Sequence, residues 1–254
     1  MADRPTVTYT AQSGTEFTRN LTTPIPPASI LDLIESGNPA DVVMQLAVES
    51  INGVRNRGFA GSLQEEDPEF QQAIQIIRKA QESGHVSLRV VPGTDKTNPD
   101  VVMAIRSEGI PLSLVEDLSQ MRKLLRMDPD VQEFKIVFGM LPKDKNEIAF
   151  RTRSVLRILT YLALSVQVPE QDLAAGRAPA INLPGSSTPP QFTVLSSCKK
   201  PADCFTALHY RGSWFWIDDR DFNSKRTMSY LKILLGLAES KQKEAAPALT
   251  IRAN

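Results

Sequence analysis

Near residue 84 the apolar residues of this chain change their spacing. Upstream, 67-DPEFQQAIQIIRKAQESG-84 places Phe70, Ala73, Ile74, Ile76, Ile77 and Ala80 on one helical stripe. Asp67 stands at the cap position, Pro68 at the first helical position, and Gly84 ends the pattern. Downstream, 86-VSLRVV-91 and 101-VVMAIR-106 follow strand spacing, and the Gly, Asp, Asn and Pro of 92-PGTDKTNPD-100 mark a hairpin loop between them. A chain that switches period in this way must pack helices on a sheet of sequence-adjacent strands, which is the α+β class.

The remaining segments extend that outline. Residues 1–27, with Val7, Tyr9 and Phe17 before 24-PIPP-27, read as an extended N-terminal arm with one strand. Residues 28–37 form a short helix closed by Gly37, and Asn38-Pro39 opens a helix whose stripe, Val42 to Val54, runs to residue 57. Three helices and a hairpin over 28–110 give a winged-helix-like outline. A second α+β part is expected over 111–254. There 112-LSLVEDLSQMRKLLRM-127 is a helix with a Ser113/Glu116 capping box. Strands 133–139 and 147–152 flank a turn at 142–146, and 153-RSVLRILTYLALSV-166, apolar on nearly all sides, is a central helix. The Pro-, Gly- and Ser-rich stretch 167–190 reads as a mobile loop with one weak helical turn. Strands at 191–197, 205–210 and 213–218, a helix from 224 and an edge strand at 248–253 complete a mostly antiparallel sheet packed with helices.

The 29 basic residues balance 29 acidic ones, so no overall field draws the protein to nucleic acid or an anionic membrane. The third helix offers only Arg78 and Lys79 as cations, which argues against a DNA-reading helix despite the winged outline. Nucleophile elbows, phosphate loops, dinucleotide fingerprints and His-Glu-x-x-His helices are missing, so neither a catalytic residue nor a cofactor is assigned. The histidines are His85 and His209, and His209 reads as a structural or surface residue in preference to a chemical one.

The densest chemistry is 207-ALHYRGSWFWIDDRDFNSKRTMSYLKILLGLAE-239. Asp218, Asp219 and Asp221 stand beside Ser224, Lys225 and Arg226. Carboxylates this close suit a ligand or cation site. They also suit a structural charged knot in which Asp221, Asn223 or Ser224 caps a helix and the other acids neutralise cations in its first turn. The knot is the favoured reading, and no metal is assigned. Trp214 and Trp216 alternate with Phe215 and Ile217, the mark of a strand buried on both faces. The rival is an aromatic interaction face of Trp214, Trp216 and Tyr210. Cys198 and Cys204 flank a short turn-like insert. A disulfide, two free thiols and a metal pair all remain open there.

Several of these stretches, EFTRNLTTPIPP, NPADVVMQLAVESINGVRNR, DPDVQEFKIVFG, EIAFRTRSVLRILTYLAL, VPEQDLAAGRA and HYRGSWFWIDDRDFNSKRTMSYLKILLGLAE, together resemble a family of uncharacterised bacterial envelope proteins, from about residue 13 to 254. The resemblance rests most on the closing Tyr-Arg-Gly-x-Trp-Phe-x-Ile-Asp-Asp-x-Asp-x-x-Ser-Lys-Arg motif. It implies a lipoprotein-like, periplasm-facing protein, and an oxidising periplasm would favour the Cys198–Cys204 disulfide. It brings no catalytic residues. The N-terminus MADRPTVTYTAQSG lacks a signal-peptide layout. Membrane attachment is therefore expected only through a lipid anchor that this sequence does not carry, and a chain taken as complete would be cytoplasmic. The expected function is protein–protein assembly, with a partner or with itself, through the N-terminal arm. A ligand-binding or enzymatic site at Asp218–Arg226 and a winged-helix DNA-binding regulator are the alternatives.

Overall fold

A computed structural model describes residues 14–57, 67–91, 100–106, 109–179 and 192–240. Its main sheet has six strands: β1 (Val48–Ile51), β2 (Val54–Arg55), β3 (Val86–Val91), β4 (Asp100–Ile105), β5 (Glu133–Phe138) and β6 (Glu147–Thr152). They lie in the order β2-β1-β6-β5-β4-β3. A smaller sheet of β7 (Leu195–Ser197), β8 (Thr206–Tyr210) and β9 (Ser213–Ile217) has the order β7-β9-β8. Every pairing is antiparallel except β5 with β6. Eight helices accompany them: α1 (Thr15–Thr22), α2 (Pro27–Glu35), α3 (Ala40–Ala47), α4 (Pro68–Ser83), α5 (Leu112–Leu124), α6 (Val155–Ala163), α7 (Glu170–Ala174) and α8 (Phe222–Ser240), among the described residues. The fold is α+β.

Register decides which face of the main sheet is core. Val101 pairs with Ile136, Met103 with Phe134, Ile136 with Ile148, and Ile51 with Phe150, and all of these side chains are buried. Paired residues share a face, so the apolar residues line one side. There they meet Ile30, Leu31 and Ile34 of α2, Phe70 and Ile74 of α4, and Leu118 and Met121 of α5 in one hydrophobic cluster. The alternate residues Val102, Ala104, Lys135, Val137 and Glu147 are only half-buried. On that side Lys135 pairs with Asp100 at 2.8 Å, and Arg89 pairs with Glu133.

The helices around the period change stand where periodicity places them. α4 ends at Gly84, whose φ of 70° is left-handed. Asp67, however, does not cap α4 with its side chain. Its carboxylate accepts from the Arg55 backbone N–H at 2.7 Å and pairs with the Arg55 guanidinium at 3.2 Å. Burial pushes its pKa up, but the Arg55 hydrogen bonds outweigh that and hold it below the usual carboxylate value.

Several expectations are corrected. The helix expected to reach residue 57 stops at Ala47, and the chain turns at Asn52-Gly53 between β1 and β2. Asn-Gly is the strongest short hairpin signal, because both residues tolerate positive φ, here 48° and 85°. The helical stripe had masked it. Tertiary bonds hold the turn: the Asn52 side chain accepts from the Ala149 N–H at 2.8 Å and donates to the Leu125 carbonyl at 2.7 Å. A Cβ on Gly53 would lie 3.0 Å from Leu141 Cδ2.

The arm is not extended where it is described. Residues 15–22 form α1, which packs against α6 and α8, while the expected strand at Val7 and Tyr9 lies outside the described residues. The boundary expected at 110 runs through a single sheet, because β4 pairs with β5 and β1 with β6. The β3–β4 hairpin is thus part of that sheet and not a free wing. β5 and β6 do not form a hairpin; residues 139–146 carry the chain back so that the two strands run parallel. α5 begins at Leu112 without a side-chain cap, so Ser113 and Glu116 form no capping box. α6 is not central, since its Leu156 and Leu159 are exposed. The helical turn expected within 167–190 is α7, at 170–174, and its Gln171 donates to Ser213 Oγ at 2.8 Å; residues 180–191 and the strand at 248–253 lie outside the described residues.

Candidate functional site

The turn between β9 and α8 gathers the acidic and basic residues, and each acid has a different duty. Asp218 Oδ1 accepts from the Arg220 N–H at 2.8 Å, closing a local turn. Asp221 caps α8: its Oδ1 accepts from the Ser224 N–H at 3.0 Å, and its Oδ2 accepts from Ser224 Oγ at 2.5 Å. Ser224 is fully buried, and its Oγ accepts from the Thr193 N–H at 2.8 Å, tying the start of α8 to the chain just before β7. Asp219 pairs with Lys225 at 2.9 Å, and Lys225 also donates to the Asp219 carbonyl at 3.0 Å.

Arg226 bonds the Asn223 side chain at 3.1 Å instead of an aspartate. The Lys225 ammonium lies 5.3 Å from the Phe205 ring and 5.4 Å from that of Phe222, within cation–π range. The carboxylates therefore point to separate local partners. Among the described residues no group of three or more metal-ligating side chains converges.

The small sheet separates residues that the sequence grouped. Trp214 pairs with His209 and Trp216 with Ala207, so both tryptophans share one face, with the His209 and Trp214 rings 4.9 Å apart. Tyr210 pairs with Ser213 and lies on the other face with Leu208 and Phe215. The expected joint aromatic face is split. The expected two-sided burial of β9 is also absent: Trp214, Phe215 and Trp216 are half-buried, and only Ser213 and Ile217 are buried.

Cys198 and Cys204 are both free. The topology explains why no disulfide joins them. β7 and β8 are not a hairpin but run parallel on either side of β9, with Ser197 opposite Trp214 and Thr206 opposite Ile217, so the strand ends beside the two cysteines are separated by two strand spacings, roughly 9.6 Å, across the sheet and also lie at opposite ends of it. A disulfide needs Cα atoms within about 7 Å.

A second charged cluster was not visible in the sequence. Glu49, 4% exposed, accepts from Arg151 Nε at 2.8 Å and from Arg157 Nη2 at 2.8 Å. These groups line an open cleft of about 300 Å³ with Thr152, Ser154, Phe138 and Met140. A bulge in the β1–β6 pairing between Val48 and Ser50 sets Glu49 beside Arg151. α6 begins at the cleft, capped by Ser154 Oγ, which accepts from the Arg157 N–H at 3.3 Å. Next to it Arg153, 1% exposed, turns the other way and donates to the carbonyls of Gln45 and Leu46, each at 2.9 Å, with its guanidinium 4.2 Å from the Tyr161 ring. The only sequence signal for the cleft was the close spacing of three arginines in 151-RTRSVLR-157.

Comparison of the chain with protein-family models, with curated proteins and with solved structures gives no match, so the functional reading rests on the geometry of the chain itself.

Proposed function

We propose that this chain is a non-enzymatic assembly module, and that its contact surface is the outer edge of the small sheet, occupied by a second copy of the chain. The observation that carries the reading is β8. Among the described residues it is an edge strand, and its Leu208 and Tyr210 are 65% and 56% exposed. Proteins that keep such edges apart place Lys, Pro or a bulge there. β8, Thr206-Ala207-Leu208-His209-Tyr210, has none of these, and its pairing with β9 is regular. Exposed Phe205 and Phe222, gathered around Lys225, extend the apolar surface beside it.

The strand is also self-complementary. In an antiparallel β8–β8 pairing Leu208 would face Leu208 across a two-fold axis, and Thr206 would face Tyr210. With no charged side chain in β8, the pairing meets no like-charge repulsion along the strand. The charged turn after β9 serves this surface by fixing α8 and Phe222. The envelope location implied by the resemblance belongs to the same proposal.

Light scattering after size exclusion tests the assembly. The chain is expected to be dimeric at high concentration. Leu208→Lys should return it to monomer with an unchanged circular dichroism spectrum, because the side chain contributes little to the core. A strict monomer at every concentration, or a dimer indifferent to Leu208→Lys, would sink the reading.

A further inference from the structure

The two sheets have four outer strands among the described residues, β2, β3, β7 and β8. Three of them have an edge N–H taken by a side chain from outside the sheet. Asp67 Oδ2 accepts from the Arg55 N–H of β2 at 2.7 Å, and Glu35 Oε1 accepts from the Leu88 N–H of β3 at 3.0 Å. Gln167 Oε1 accepts from the Ser196 N–H of β7 at 3.0 Å. An edge closed in this way cannot take up another strand without losing that bond. Among the described residues β8 has no such acceptor.

β8 joins β9 through Arg211-Gly212, with Tyr210 opposite Ser213. Their φ values of 50° and 81° are those of a tight two-residue hairpin turn. Hydrogen bonding alternates along such a hairpin, so Tyr210 and Leu208 bond to β9 while His209 and Ala207 direct their backbone groups outward. Antiparallel pairing of two copies about Leu208 joins His209 of each to Ala207 of the other and uses all of these groups.

Arg211 is the anomaly of this edge. Positive φ at the first turn position suits Asn, Asp or Gly, and an arginine there is strained. Asn52, at the corresponding position of the β1–β2 turn, is held by its side-chain bonds to Ala149 and Leu125. Arg211 instead sets its guanidinium 5.4 Å from the ring of exposed Tyr210, at the end of the open edge. Strain kept at a single position points to a use for the side chain.

We propose that Arg211 sets the orientation and register in which two copies pair through β8, by placing its guanidinium on Phe205 of the other copy. This rests on the β8 assembly reading above. With Leu208 on the two-fold axis, Thr206 faces Tyr210, and one position further out Phe205 of one copy faces Arg211 of the other. Phe205 is 43% exposed. Lys225 lies 5.3 Å from the same ring but is paired with Asp219 at 2.9 Å, so its charge is offset. A guanidinium stacks on an aromatic face better than an ammonium does. Parallel pairing would set Arg211 beside Arg211, whereas the antiparallel arrangement holds the two guanidiniums six strand positions, roughly 20 Å, apart. β8 has no charged side chain of its own, so this repulsion is what selects the orientation.

Sedimentation velocity of the full chain, with melting temperatures taken at concentrations below the dimer Kd, tests the proposal. Arg211→Asn should weaken the dimer at least about fivefold, the scale of two symmetric cation–π contacts. The same change should leave the melting temperature unchanged or raised, because asparagine fits the turn. Arg211→Lys keeps the charge and the strain and should fall between the two. In a Phe205→Leu background Arg211→Asn should have little further effect on Kd, since the contact is already lost. A merely structural Arg211 would move the melting temperature and not the Kd. A dimer abolished by Leu208→Lys but indifferent to Arg211→Asn, or an undiminished Arg211→Asn effect in the Phe205→Leu background, would overturn the role of Arg211 and spare the β8 reading. Absence of any dimer would overturn both.

Discussion

The turn at Asp218–Arg226 and the triad of Glu49, Arg151 and Arg157 are both carboxylate–cation clusters, yet they are built on different principles. In the first, every partner of a carboxylate lies within six residues of it, and the Asp219 side chain is 58% exposed. In the second, strand pairing brings Glu49 to arginines about a hundred positions away, and its side chain is 5% exposed. Exposed pairs gain little, because water already solvates both ions. A buried carboxylate loses that solvation and depends on its partners. Dense charge in a sequence is therefore a poor guide to which charges the fold relies on. The conspicuous cluster shapes a turn, and the dispersed one sets the electrostatics of a cleft.

Stability measurements can break that contrast, and the largest effect is expected at the triad. Glu49→Gln should cost about 2–3 kcal/mol in a denaturant titration, somewhat below the range for fully buried pairs because both guanidiniums reach solvent. Asp221→Ala removes the cap of α8 and should cost about 1 kcal/mol, with Asp221→Asn recovering most of it since the amide oxygen still accepts. Asp219→Ala should be the smallest, under about 0.5 kcal/mol and smaller still in high salt. If Asp219→Ala proved as damaging as Glu49→Gln, the two clusters would be energetically alike and the contrast would fall.

The same division runs through the elements. α4 was legible end to end, because Pro68, a six-residue apolar stripe and Gly84 all act locally. The α8 cap was legible for the same reason: Asp221 and Ser224 are three positions apart. Residues 48–55 carry two conflicting signals, because Val42 to Val54 satisfies a helical stripe while Asn52-Gly53 marks a turn. What chose the hairpin was burial of the Asn52 side chain between Ala149 and Leu125. Strand β9 shows the converse error. Alternating large apolar residues predicted burial on both faces, but nothing in five residues states how many strands and helices will cover them.

By itself the sequence determined the class of the fold, most helix boundaries and the capped turn before α8, since periodicity, proline, glycine and capping chemistry act over a single turn of chain. Tertiary structure alone decided that β5 and β6 run parallel, that β9 separates the two cysteine-bearing strand ends, and that Glu49 meets Arg151 and Arg157. Those outcomes depend on pairing between distant segments, where the free energy lies in burial and register and the residues concerned carry no local trace of their partner.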